Sequence, residues 1–337
     1  DWARDRAQGM RRGGSENGGM DELARCSSCS SSGSCHDPWD EGVRGALVSA
    51  RGKLSDIEGF ASIDYTPDEL AILVADIFEL IQIEEHLNVP KSAVHKFVLS
   101  VRAQMLDNPY HNWVHVVDVT QTLYSLAVQS GLLERLSPKQ RLALIISAMC
   151  HDLEHPGVNS AYLLKSNSTL ASTYNQDPGL LEKHHSLRAF ELMIGRESSL
   201  LLKLSHADKR EVCSMVRDLI CATDMGRHST FVAALKRRVE AIESGSTDGR
   251  DPLMSEDERT LEDMQLLLKC ADISNVLKPF AVAKHWAVRV TDEFFAQGDL
   301  ERVGGMEVTP MCDRRTQSRV ALQKGFIDFV VAPFVKC

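Results

Sequence analysis

The sequence lacks a basic excess: 38 lysines and arginines face 47 aspartates and glutamates, a formal charge of −9 over 337 residues. A free-standing nucleic-acid binder needs positive charge to neutralise phosphates, so that class is set aside. Long apolar runs are missing too. The most apolar stretch, Leu142 to Cys150, is about half of the ~18 residues a membrane helix requires, and it reads as a buried helix instead. A paired cysteine framework is absent: the nine cysteines are odd in number and mostly scattered through hydrophobic segments. Reduced thiols in a cytoplasmic protein fit that pattern, and a secreted disulfide scaffold does not.

The first 42 residues contain no valine, isoleucine or phenylalanine and are rich in glycine, serine and charge. Such a segment cannot bury enough apolar surface to offset its chain entropy. Residues 1–60 are therefore read as a polar, largely disordered arm or linker. Within it, Cys26, Cys29, Cys35 and His36 offer zinc-ligand types, but their spacing is not a usual finger pattern and serine-rich tracts produce such clusters by chance. The chain opens on Asp1 without a methionine or a signal-like stretch, which reads as a fragment of a longer protein with regulatory domains elsewhere.

Period-2 alternation and internal repeats are lacking as well. Apolar residues recur at helical spacing, and Thr66-Pro67-Asp68-Glu69 supplies a cap, an N1 proline and two first-turn acids for a helix to about His86. Further helices are expected over Lys139 to Met149, Glu182 to Ile194, Lys209 to Cys221, Thr230 to Ile242, Ser255 to Ile273 and Phe280 to Phe295. The 43% hydrophobic content is enough for a sizeable core. The fold expected for residues 61–337 is all-α, one compact multi-helix domain.

Two histidine pairs have metal-ligand spacing: His111-x3-His115, and His151-Asp152-x2-His155. At i, i+4 on a helix, two imidazoles share one face. The second cluster follows the run Ile145 to Cys150, and polar groups driven into an apolar interior need compensation that a cation supplies directly. Asp272 in Leu266 to Asn275 has the same problem, although pairing with Lys269 is an ordinary alternative. His115, His151, Asp152 and Asp272 together make a nitrogen and oxygen donor set without thiolate, suited to a catalytic zinc with open positions. Acceptors remain for a second, harder ion held through water.

Longer motifs carry a resemblance. Pro109 to Val119, His151-Asp152-Leu153-Glu154-His155-Pro156-Gly157, Leu181 to His185, Thr223-Asp224-Met225, Cys270 to Asn275, Gln297-Gly298-Asp299, Pro310 to Arg314 and Gln323 to Asp328 resemble, in order, the class I 3′,5′-cyclic nucleotide phosphodiesterases. The resemblance covers roughly residues 66 to 337, and its wording is most similar to the kinetoplastid branch. It implies an HD-type helical catalytic domain that hydrolyses a cyclic nucleotide to the 5′-monophosphate, cyclic AMP favoured and cyclic GMP left open. It further implies zinc on His115, His151, Asp152 and Asp272, with magnesium or manganese beside it. Asp152 would touch both ions, and His155, Glu182 and Thr223 would hold the second ion's waters. Two cations ~3.5–4 Å apart turn a bridging water into hydroxide and clamp the phosphoryl oxygens. His111 would then protonate the departing 3′ oxygen as general acid. Gln323 would pair with the purine edge, Phe326 would stack on the base with Val290 opposite, and Asn275 would favour cyclic AMP.

Three departures bear on the carry-over. Ser160 stands where the family has an amide, with Asn159 one residue early; the segment Tyr174 to Gly179 is one residue longer than usual; and the chain stops eleven residues after Phe326. Altered water structure at the metals and a looser base-binding wall are the expected consequences. Two other readings stand beside the main one. The first is another HD-superfamily nucleotide phosphohydrolase, which shares the His…His-Asp…Asp chemistry. The second is a metal-stabilised regulatory ligand-binding module.

Overall fold

Reciprocal caps set where three of the long helices begin. Thr66 with Glu69, Ser137 with Gln140 and Ser255 with Glu258 each pair a cap side chain with the N3 amide and return the N3 side chain to the cap amide, which satisfies two otherwise orphaned donors. The computed structural model describes residues 39, 41–195, 198, 200–246, 249 and 253–336. The cluster of Cys26, Cys29, Cys35 and His36 lies outside the described residues. The principal helices are α1 (Pro67–Leu80), α2 (Lys91–Gln104), α3 (Trp113–Gln129), α4 (Pro138–Cys150), α5 (Leu180–Ile194), α6 (His206–Ile220), α7 (His228–Glu243), α8 (Glu256–Asp272), α9 (Phe280–Val303) and α10 (Arg319–Phe326). Shorter helical turns join them, and no strand occurs among the described residues. The fold is all-α, as the periodicity implies.

The helix expected to run unbroken to His86 is two helices. Gln82 adopts a left-handed conformation, φ 60, between α1 and a short helix Ile83–Leu87. On a continuous helix residues 81 and 83 would face nearly opposite directions, and the break lets Ile81 and Ile83 both turn into the core. Conversely, α9 continues well past Phe295 to Val303.

Helix α4 is the buried axis. Every residue from Leu142 to Cys150 is fully enclosed, as a helix apolar on all faces must be. It packs against α3 and α6, while α3 also packs along α8 and α1. The aliphatic core therefore holds together the helices whose ends carry His115, His151 and Asp272. Two short helices, Glu41–Ala46 and Val48–Gly52, dock on the same core through Leu47, Ala50, Leu54 and Phe60. Arg44 reaches Asp76 at 2.7 Å and Glu79 at 2.9 Å on α1. The domain boundary expected at residue 61 thus falls inside packed structure. Among the described residues no helix is long and apolar enough to cross a membrane.

Candidate active site

Three helix ends converge on one point. His115 sits in the first turn of α3, where the Asn112 side chain caps the helix by accepting the His115 amide at 3.1 Å. His151 is the C-cap of α4, Asp152 follows it, and Asp272 is the last residue of α8. The ligand-type atoms of these four side chains all lie within 4.8 Å of one another. The His151 Nε2 is 3.1 Å from an Asp152 oxygen and 3.2 Å from an Asp272 oxygen, and the His115 Nε2 is 3.3 and 3.6 Å from the same two carboxylates. Neither histidine pair lies on one helix as the i, i+4 spacing suggested. His111 precedes the extended cap residue Asn112, and residues 151–154 form a turn after α4. Glu154 at φ 60 and Gly157 at φ 75 turn the chain away at Pro156, where a helix cannot continue.

These residues fit a cation. Both ring nitrogens of His115, fully buried, lack a hydrogen-bond partner, a costly arrangement unless something else occupies the lone pair. The His151 Nδ1 donates to the Ala148 carbonyl at 2.8 Å, so the Nε2 lone pair is aimed at the carboxylates. Burial works against ionised Asp152 and Asp272, yet His151 beside them holds both carboxyl groups well below their usual range. Burial likewise opposes a charged His151, and the two carboxylates overcome it, raising its pKa well above normal. The pocket demands positive charge, which a divalent ion provides without a proton. Asp272 faces these histidines, and Lys269 donates to the carbonyls of Thr223 at 3.3 Å and Asp224 at 3.4 Å.

Beside this cluster stands His111, whose ring stacks on His155 with centroids 3.9 Å apart. Its Nδ1 meets the carboxylate of Glu293 on α9, and the Tyr110 and His111 amides donate to the other Glu293 oxygen at 2.9 and 3.0 Å. Burial would lower the His111 pKa, but Glu293 and Asp152 dominate and lift it to about 9. Glu293 itself, despite burial, is held down at about 2 by His111. The motif reading missed Glu293. Its only local signal is a carboxylate in the α9 face that also buries Trp286 and Gln297. His155 accepts the Gly157 amide at Nδ1, and burial together with His111 keeps it neutral.

Glu182 opens α5 with one carboxylate oxygen buried and unpartnered. Burial pushes its pKa up to about 7, with Asp224 and Asp152 adding to the rise. The buried Thr223 hydroxyl donates to the Ile220 carbonyl at 2.8 Å. Asn159, one residue ahead of the expected amide, caps the short helix that Ser160 begins and accepts the Tyr162 amide at 2.9 Å. Its backbone N–H donates to Gln297 Oε1 at 2.9 Å, and Gln297 donates onward to the buried Glu301, which accepts the Thr309 hydroxyl. At Gly298 a Cβ would stand 2.0 Å from the Cys312 carbonyl oxygen, so only glycine allows this approach. The longer segment before Glu182 turns on Asn175 and Gln176, both left-handed.

The residues expected around the base are arranged less uniformly. Asn275 is buried, and its amide donates to the Tyr110 hydroxyl at 2.6 Å. Gln323 and Phe326 lie half-buried on α10, which packs on α9, and Val290 is half-buried on α9. Phe326 packs against a small core that includes Ile273, the neighbour of Asp272.

Comparison with known proteins bears on this geometry. The family model described as 3′5′-cyclic nucleotide phosphodiesterase matches residues 110–337. The 3′,5′-cyclic-nucleotide phosphodiesterase regA of Dictyostelium discoideum is 34% identical over 275 residues, covering 81% of this chain and 34% of that protein. The 3′,5′-cyclic-AMP phosphodiesterase 4C of Rattus norvegicus is 35% identical over 265 residues, covering 77% of this chain and 49% of that protein. The chain thus spans from about a third to half of the length of these curated relatives. Among solved structures, the phosphodiesterase domain of the RhoPDE fusion protein from the choanoflagellate Salpingoeca rosetta superposes with a TM-score of 0.77 at 29% identity, covering 87% of this chain and 89% of that one. LmjPDEB1 in complex with IBMX gives 0.74 at 32% identity, with 84% of each covered.

Proposed function

The chain belongs to the 3′,5′-cyclic nucleotide phosphodiesterase family, and from that premise we propose that it hydrolyses a 3′,5′-cyclic nucleotide to the nucleoside 5′-monophosphate. The observation that carries the reading is the pairing of two parts. One is a buried donor set with unpartnered histidine nitrogens, and the other is an adjacent histidine kept protonated by a carboxylate. Cyclic AMP is favoured, since one of the relatives compared is named for it, and cyclic GMP remains within reach of a rotatable glutamine at 323.

His115, His151, Asp152 and Asp272 would hold zinc, and a magnesium or manganese ion would share Asp152, with His155, Glu182 and Thr223 around its waters. Divalent ions held there would supply an acidified water and offset phosphoryl charge. The chain's own residues do the rest. His151, tied to Ala148 through Nδ1, presents Nε2 in a fixed orientation. His111 has Nδ1 engaged by Glu293, which leaves Nε2 to deliver a proton to the departing 3′ oxygen. A pKa near 9 keeps that proton on the ring at neutral pH. The Tyr110 ring lies 4.5 Å from that of His115 and its hydroxyl accepts from buried Asn275, while Asn275, Gln323, Phe326 and Val290 would bind the purine. Cys150, Cys213, Cys221, Cys270 and Cys312 are free thiols, which suits the cytoplasmic location read from the sequence.

The test is incubation with cyclic AMP, cyclic GMP, a nucleoside triphosphate and a cyclic dinucleotide, each with and without chelator. We expect monophosphate from cyclic AMP and its loss on chelation. Binding of cyclic nucleotide without turnover would point to a regulatory module instead.

A further inference from the structure

Ser62, Asp118 and Lys278 meet in the interior at a place the proposed chemistry does not use. The Lys278 ammonium donates to Asp118 Oδ1 at 2.6 Å, and the Ser62 hydroxyl donates to the same oxygen at 2.8 Å. The charged side chains are 1% and 2% exposed, and Ser62 is fully enclosed. Taking both charges out of water is costly, and an apolar pair of similar shape usually serves stability as well or better. Stability alone therefore does not account for the pair. Its location does: Asp118 lies three residues after His115, one turn along α3, and Lys278 closes the short helical turn Ser274–Leu277 that leaves α8 directly after Asp272. Apolar contacts between α3 and α8 specify proximity but little register, whereas a short charge-assisted hydrogen bond specifies both.

We propose that Asp118 and Lys278 form a positioning clamp that sets His115 against Asp272, with Ser62 orienting the carboxylate. The clamp rests on the metal-site reading above. Through Ser62 it also ties the metal site to chain that precedes the family match at residue 110.

Zinc retention by chelator competition, measured beside thermal midpoints, decides the matter. Asp118→Asn and Lys278→Met should each weaken retention about 10–100-fold and lower the midpoint. The paired Asp118→Leu/Lys278→Met variant should recover the midpoint while zinc retention stays at least about tenfold weaker. Recovery of both together overturns the clamp. Should the paired variant fail to fold, Ser62→Ala decides: it keeps the ion pair and should lose about 3–10-fold in retention, and unchanged retention overturns the proposal. A wild-type chain that retains no zinc would overturn the metal-site reading itself, an outcome distinct from equal retention in all variants.

Discussion

Glu293 grips His111 at both the backbone and the ring: one carboxylate oxygen accepts the His111 amide at 3.0 Å while the other meets Nδ1. These residues are 182 positions apart in sequence, yet the carboxylate decides the protonation state of the imidazole. In the proposed reaction activity needs the protonated ring, so turnover should fall as pH rises through about 9. Glu293→Gln removes the opposing charge and should move that alkaline limb to lower pH by about a unit or more. It should also reduce kcat about 10–100-fold. A pH–rate profile of both proteins checks this. The same pair contributes stability that is full between about pH 4.5 and 6.5, is lost toward pH 9 as the ring gives up its proton, and is lost toward pH 2 as Glu293 takes one up.

Proton donation and metal binding should separate by mutation. His111→Ala is expected to keep its metal content and lose about 10²–10⁴-fold in turnover, the range for a lost general acid. Asp272→Ala should lose metal as well, because it removes one of four converging donors. Metal analysis of the purified variants gives the answer, and equal depletion of both would contradict the division of roles.

Gln323→Ala should raise KM for cyclic AMP about tenfold, the value of one or two hydrogen bonds, with metal content and thermal midpoint unchanged. Its half-buried position on α10, away from the principal core, is the reason stability should not move. Steady-state kinetics with calorimetry distinguishes this from a folding defect.

Acid should loosen the amino-terminal docking. Burial alone would raise the Glu79 pKa, but Arg44 and Lys91 bring it down from 4.5 to about 2. The folded value is depressed, so the stabilisation is present above pH 4.5 and disappears as pH falls toward 2. Glu79→Gln should flatten the dependence of the thermal midpoint on pH across that window. Limited proteolysis between residues 53 and 61 should accelerate in the wild type over the same range.

The sequence makes legible whatever depends on near neighbours. The Thr66, Ser137 and Ser255 caps lie within three residues of their partners, and the apolar run before His151 announces its own burial. Motif order brings in His115 and Asp272 although 157 positions separate them. What depends on backbone conformation or remote pairing is not legible. The i, i+4 spacing of His151 and His155 suggests a helix, but the left-handed Glu154 is held by His184 and Arg188 from α5. Glu293 carries no spacing signal toward His111. The docking of residues 41–60 depends on a few apolar side chains and on Arg44, too sparse to stand out from a polar composition.

The approach of Gly298 to the Cys312 carbonyl sets a tolerance of one atom between α9 and the segment that follows it. A single methyl at position 298 would have to push the Pro310–Cys312 turn outward, and Thr309 would pull on Glu301 and hence on the Gln297 link to Asn159. The register between these two stretches is thus locked to one residue. Length changes in the connection between Val303 and Thr309 can be absorbed only on its solvent side, where Gly305 has open space.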